Sequence, residues 1–236
     1  WNDEVLGLNK FSSNLESSAG AVIRALNTQG KGITVVVYNP LAIGRKEVVE
    51  AELFYPAGAG APKAVKVYDT AYNEIPVQIL NSTKGSIKIL FIATVPSIGL
   101  TCYDVQPSNE AVTYKTSLSA SNTMLDNEYL KVTVNANGDI SSIIDKKQGK
   151  ELLSAPSRLE FQKEHPEYWP AWNMDWNDRK NPPIDFVKGP ARITVLEKGP
   201  VRATLKIERN ARNSVFIQYI RLAAGKETLI ISNTIN

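Results

Sequence analysis

A mainly β fold is what this sequence predicts: an N-terminal helix, then a small β-sandwich, then part of a larger antiparallel β-sandwich domain. Three observations carry that prediction. From Ile33 onward, apolar residues recur in short alternating runs broken by Gly, Pro and Asn clusters, which is the period of strands rather than helices. Helical spacing is strong only before Gly30. The chain has 236 residues, of which 43% are hydrophobic and 22% charged, enough to build one large or two smaller globular cores.

The helix is expected over the first 30 residues. Leu8, Phe11, Leu15, Ala19, Val22 and Leu26 fall on one face of a 3.6-residue period. Asp3 and Glu4 suit the positive end of its dipole, and Gly30 and Gly32 mark its stop. Such a stripe needs a partner: either the following sheet or helices that precede it in a longer protein.

Residues 31–106 read as the small sandwich. Strands are expected at Ile33–Tyr38, ending on the turn signal Asn39-Pro40, and at Val48–Tyr55, ending on Pro56. Residues 57–62 (Ala-Gly-Ala-Gly-Ala-Pro) read as a hairpin connection. Val65–Tyr68, Ile75–Leu80, Ser86–Val95 and Leu100–Val105 complete the set. Residues 107–121, rich in Ser, Thr and Asn, read as a linker.

The larger sandwich is expected over 122–236. Tyr129–Val134 and Ile140–Ile144 flank Asn137-Gly138, a turn pair that tolerates positive φ. Further strands are expected at Arg158–Phe161, Arg192–Glu197, Val201–Arg209, Val215–Leu222 and Thr228–Ile235. The chain begins at Trp1 and stops inside the last of these strands. Both ends therefore read as cuts in a longer protein.

Composition excludes several functions. The net charge is +3, with Lys and Arg interspersed among Asp and Glu, so no nucleic-acid footprint is expected. No apolar run approaches the ~20 residues of a membrane-spanning helix, and no membrane partner is expected. Cys102 stands alone and cannot form an internal disulfide. The compartment is left open, with secreted or periplasmic placement weighed above cytoplasmic.

Neither catalytic nor metal-ligating residues are expected. With one His (His165) and one Cys, a zinc site of clustered His, Cys, Asp or Glu is disfavoured. His165 precedes Pro166 in a polar loop and reads as a solvated histidine. No Gly-x-Ser-x-Gly elbow or phosphate-binding Gly loop is present. Paired carboxylates could serve a glycosidase, but no pair here has a distinguishing spacing.

The segment Tyr168–Asp178 holds three of the four tryptophans. Aromatic rings beside Asp and Asn can face both the apolar CH faces and the hydroxyls of a sugar. The competing expectation is that Trp172 and Trp176 plug the end of the sandwich.

These residues resemble glycoside hydrolase family 38, the α-mannosidases. The helix followed by Val36-Val37-Tyr38-Asn39-Pro40-Leu41 and Arg45 resembles the passage from the helical bundle into the β region. Residues 125–132, Gly138-Asp139-Ile140, 143–146 and 149–152 are similar to the opening of the large C-terminal β domain. Trp169-Pro170-Ala171-Trp172-Asn173-Met174-Asp175 resembles its Trp-x-Ala-Trp segment, with Pro170 and Asn173 where acids can occur. Residues 199–203 and 214–218 fit the strands beyond.

The resemblance implies a zinc-dependent retaining glycosidase acting on α-mannosides, of which this chain is the non-catalytic C-terminal β region with the last helix of the bundle. The nucleophile and zinc would lie in an N-terminal catalytic domain, the first partner implied. A mannose-containing glycan is the second, met by substrate-binding candidates Trp169, Trp172, Asp175 and Trp176. No cofactor is expected in the fragment itself. A free-standing carbohydrate-binding module and a structural or subunit-contact β domain remain the alternatives.

Overall fold

The computed structural model describes residues 1–56, 58, 60–170 and 172–236. Ala57 and Ala59 of the expected 57–62 connection, and Ala171 of the tryptophan segment, lie outside the described residues. The chain is mainly β and divides into two compact units, Trp1–Val112 and Thr113–Asn236.

The first unit opens with α1 (Asn2–Ala25), followed by β1 (Ile33–Asn39), β2 (Arg45–Phe54), β3 (Ala64–Tyr68), β4 (Glu74–Ile75), β5 (Val77–Ser82), β6 (Ser86–Val95) and β7 (Gly99–Ser108). The strands form a four-stranded sheet, β1-β7-β3-β4, and a three-stranded sheet, β2-β6-β5. All pairings are antiparallel. Ile89 and Phe91 of β6 and Val65, Val67, Tyr103 and Val105 of the other sheet are buried. The Phe91 and Tyr103 rings meet at 4.9 Å, and the Tyr103 hydroxyl donates to the Thr94 carbonyl across the sandwich.

Two sequence expectations change here. β2 and β3 do not pair as a hairpin: they belong to different sheets, so the chain changes sheet between Phe54 and Ala64. Alternation tells which face a strand buries, not which strand it pairs with. The helix ends at Ala25, with Leu26 as an extended C-cap, before the glycines. Gly32 instead permits a close approach, since a Cβ there would meet the Val105 carbonyl oxygen at 2.0 Å. The Asp104 carboxylate accepts from the Lys31 and Gly32 N–H groups and holds this junction.

No residue of α1 is buried. Its stripe meets the sheet only toward the helix C-terminus, where Leu15, Ala19, Val22 and Ile23 face Val36, Tyr38 and Leu100 across a groove of about 330 Å³. Leu8 and Phe11 remain exposed.

The second unit comprises β8 (Ser119–Ser121), β9 (Met124–Asp126), β10 (Leu130–Val134), β11 (Ile140–Asp145), β12 (Lys150–Glu151), β13 (Glu160–Phe161), α2 (Trp176–Arg179), β14 (Asp185–Phe186), β15 (Arg192–Lys198), β16 (Arg202–Ala211), β17 (Ser214–Ala223) and β18 (Leu229–Ile235). A five-stranded sheet, β12-β11-β10-β9-β8, and a four-stranded sheet, β15-β16-β17-β18, share one core. Leu125, Val132 and Val134 of the first interleave with Ala203, Leu205, Ile207, Ile220 and Leu222 of the second. The strand expected over Arg158–Phe161 shortens to β13, which pairs only with β14. These two short strands are the legs of an excursion, residues 162–184, that carries the tryptophans.

Candidate functional site: a tryptophan loop on a two-strand stem

The excursion is shaped by carboxylates that accept from backbone. Asp178 accepts from the His165 N–H. Asp175 Oδ2 accepts from the Glu167 N–H at 3.0 Å, and its Oδ1 from the Asn173 side-chain amide at 2.6 Å. Asp175 is also the N-cap residue of α2, but its side chain makes no cap hydrogen bond there. The Trp172 and Asn173 N–H groups donate to the Trp169 carbonyl. That turn sets Trp169 at φ 60°, an uncommon conformation for a bulky residue.

With Asp175, Asp178 and Met174 turned partly inward, the indoles turn outward. Trp169 is 72% exposed, Trp172 88% and Trp176 72%. The sandwich-plug expectation fails in this chain, because a plugging indole would be covered. The structure brings Trp169, Trp172, Asp175 and Trp176 into one loop and leaves His165 exposed beside it.

The stem is fixed by contacts that sequence reading did not single out. Glu160 pairs with Phe186, and Phe161 with Asp185. The Arg158 guanidinium lies 3.7 Å from the Phe186 ring centroid, and the Arg212 guanidinium 4.6 Å from that of Phe161. Phe161 also meets Phe216 edge to face at 5.8 Å. Lys188 beside Asp185, then the Phe186 N–H, hold the Asp185 carboxyl below the usual aspartate range, with Arg212 adding to the effect.

Deeper in the unit, Arg209 is buried. It pairs with Asp139 at 2.9 Å, donates to the Asn137 and Val187 carbonyls and reaches Gln218. It thereby ties the Asn137-Gly138 turn and the segment just after β14 to β16. The sequence did hold a signal: Ala203, Leu205 and Ile207 point inward at period two, and Arg209 is next in that series.

Among the described residues, no three of His, Cys, Asp or Glu gather to hold a metal ion. Zinc, implied by the resemblance for the parent enzyme, has no donor set among them, and no step here runs through it.

Residues 125–236 match the family model described as the glycosyl hydrolases family 38 C-terminal domain. That stretch is similar to the C-terminal domain of family 38. Alpha-mannosidase G of Dictyostelium discoideum is 20% identical over 152 residues, covering 63% of this chain. The chain spans 14% of the length of that relative.

Within the matched stretch, the residues that carried the resemblance serve the fold. Asn127 is fully buried. Its amide donates to the Ala223 and Lys226 carbonyls, and its oxygen accepts from the Tyr129 and Leu130 N–H groups. Glu128 accepts from Ser117 and from the Gly225 N–H. Burial raises the Glu128 pKa, but these hydrogen bonds outweigh it and hold the carboxyl below the usual range. At the strand turn beyond, Glu197 accepts from the Arg202 Nε and Nη2 groups and from the Thr204 hydroxyl.

Proposed function

We propose that this chain is a non-catalytic β region of a zinc-dependent, retaining α-mannosidase-type glycoside hydrolase. In that reading its tryptophan loop faces a mannose-containing glycan. The nucleophilic carboxylate and the zinc would belong to residues outside this stretch, in an N-terminal catalytic domain that is its partner. The observation that supports the glycan-facing role is the outward placement of Trp169, Trp172 and Trp176 on a loop held by Asp175 and Asp178. Flat apolar rings in water are costly to leave uncovered, and they match the CH faces of a pyranose. Both Asp175 oxygens already accept a hydrogen bond, yet each keeps a lone pair for a hydroxyl.

The test has two arms. The purified 236-residue chain is expected not to turn over an aryl α-mannoside, and turnover would defeat the non-catalytic reading. Calorimetric titration with a mannose oligosaccharide is expected to show binding that Trp172→Ala and Trp176→Ala each weaken. Binding that survives both substitutions would remove the loop from the site. The exposed Leu8 and Phe11 of α1 favour a contact role for the helix as a second reading. Solution scattering that showed a clean monomer with no change on Phe11→Ser would argue against it.

A further inference from the structure

The β16–β17 hairpin closes through a two-residue connection, because Ala211 pairs with Ser214. Both connecting residues lie at positive φ, Arg212 at 48° and Asn213 at 64°. Such turns favour Asn, Asp and Gly, whose short or absent side chains tolerate that backbone. Arg at the first position is locally unfavourable. Something outside the turn must offset it, and the observed contacts supply that. The Arg212 guanidinium lies over the Phe161 ring at 4.6 Å and approaches the Asp185 carboxylate at 3.9 Å.

Phe161 and Asp185 are paired residues on opposite legs of the stem. One guanidinium therefore touches both legs where the excursion leaves the unit. Arg158 stacks on Phe186, the neighbouring ladder residue, and Phe216 of β17 supports Phe161 from the side. A stem of only two ladder pairs resists twisting poorly. Two planar cations stacked on its aromatic rings restrict that twist, as a flexible ammonium would not.

We infer that Arg212, assisted by Arg158, is a positioning residue that fixes the direction in which the 162–184 excursion presents its tryptophans. The inference rests on the reading of those tryptophans as a sugar-facing surface. Its mechanical content can be measured apart from sugar.

The experiment compares the 236-residue chain with Arg212→Gly and Arg212→Lys by hydrogen exchange, melting and titration with a mannose oligosaccharide. Glycine at 212 removes the clamp and relieves the left-handed backbone, while its greater freedom in the unfolded chain works the other way. The melting temperature should therefore hold. Amide exchange should accelerate within 162–184 and not within 202–223. Mannoside affinity should fall about two- to five-fold, the size of an exposed cation–π contact. Arg212→Lys should fall between the two. Unchanged exchange in 162–184 for Arg212→Gly overturns the clamp, whether or not the chain binds sugar. A lowered melting temperature with faster exchange across 202–223 overturns it too, since Arg212 would then act only on the hairpin. A chain that binds no mannoside, yet whose excursion loosens on Arg212→Gly, supports the clamp and removes the glycan reading.

Discussion

The β16–β17 hairpin and the 162–184 excursion touch through Arg212, yet they are built on opposite principles. The hairpin runs ten paired positions, from Arg202↔Ala223 to Ala211↔Ser214. It buries Ala203, Leu205, Ile207, Ile220 and Leu222 completely. The excursion stands on two pairs, keeps its shape through aspartates that accept backbone N–H groups, and turns its largest apolar side chains to water. In the hairpin, burial supplies stability, and the buried Arg209 is held by an ion pair and several hydrogen bonds. In the excursion, polar staples supply shape, which leaves the aromatic surface free for other use. Stability and recognition should therefore separate when each region is mutated.

Arg209 offers the largest break. Arg209→Ala leaves Asp139 and the Val187 carbonyl without their donor in a buried setting. Removing one member of such a pair costs about 3–5 kcal/mol. Urea denaturation, read by exchange of residues 202–223, should show it. The double change Arg209→Met with Asp139→Leu should recover most of the loss, because apolar side chains leave no buried charge. A loss under about 1 kcal/mol for Arg209→Ala would mean that the hairpin does not depend on this pair.

Asn127→Ala is next, at about 2–4 kcal/mol for four hydrogen bonds of roughly 1 kcal/mol each. Asn127→Asp sharpens the point. The carboxylate still accepts from Tyr129 and Leu130 but cannot donate to the Ala223 and Lys226 carbonyls. It should therefore recover little. Full recovery by Asp would show that only the accepting half matters.

Glu197 should give a smaller, pH-dependent effect. Burial raises its pKa, but Arg202 and Thr204 outweigh burial and hold it below the ordinary glutamate value of 4.5. A carboxyl lowered in the folded state contributes stability in full above its unfolded pKa. It loses that contribution as pH falls through 4.5 toward the folded value. Glu197→Gln should flatten the stability-against-pH curve in that acidic window and leave the slope near pH 7 unchanged. An unchanged acid limb in the variant would show that Glu197 does not carry it.

The fold was legible where alternation alone decides. Tyr129–Val134 and Ile140–Ile144 form β10 and β11 around Gly138 at φ 82°. Pairing was less legible. Nothing local says that the chain crosses the sandwich between β2 and β3, because both strands alternate equally well in either sheet. Gly32 looked like a helix stop, since a glycine advertises freedom and not the carbonyl that will lie against it. The tryptophan cluster was visible at once, and its exposure was not. Composition places aromatic rings in one loop, while their direction depends on Asp175 and Asp178 reaching back to the His165 and Glu167 N–H groups. Arg212 was hidden for a similar reason: its value lies in Phe161, 51 residues earlier in the chain.

Trp172→Ala should have the smallest effect on stability, although it deletes as large a side chain as any substitution considered. Its indole is 88% exposed, so little apolar surface returns to water on truncation. The loop's hydrogen bonds use the Trp172 backbone N–H and not its ring, and alanine retains that donor. The change should lie within about ±0.5 kcal/mol, as for surface positions in general. Equilibrium denaturation beside titration with the mannose oligosaccharide tests the separation directly, with stability held and binding weakened. A stability loss above about 1 kcal/mol would show that the indole is covered in solution. The contrast between a buried hairpin and an open aromatic surface would then give way to a single packed unit.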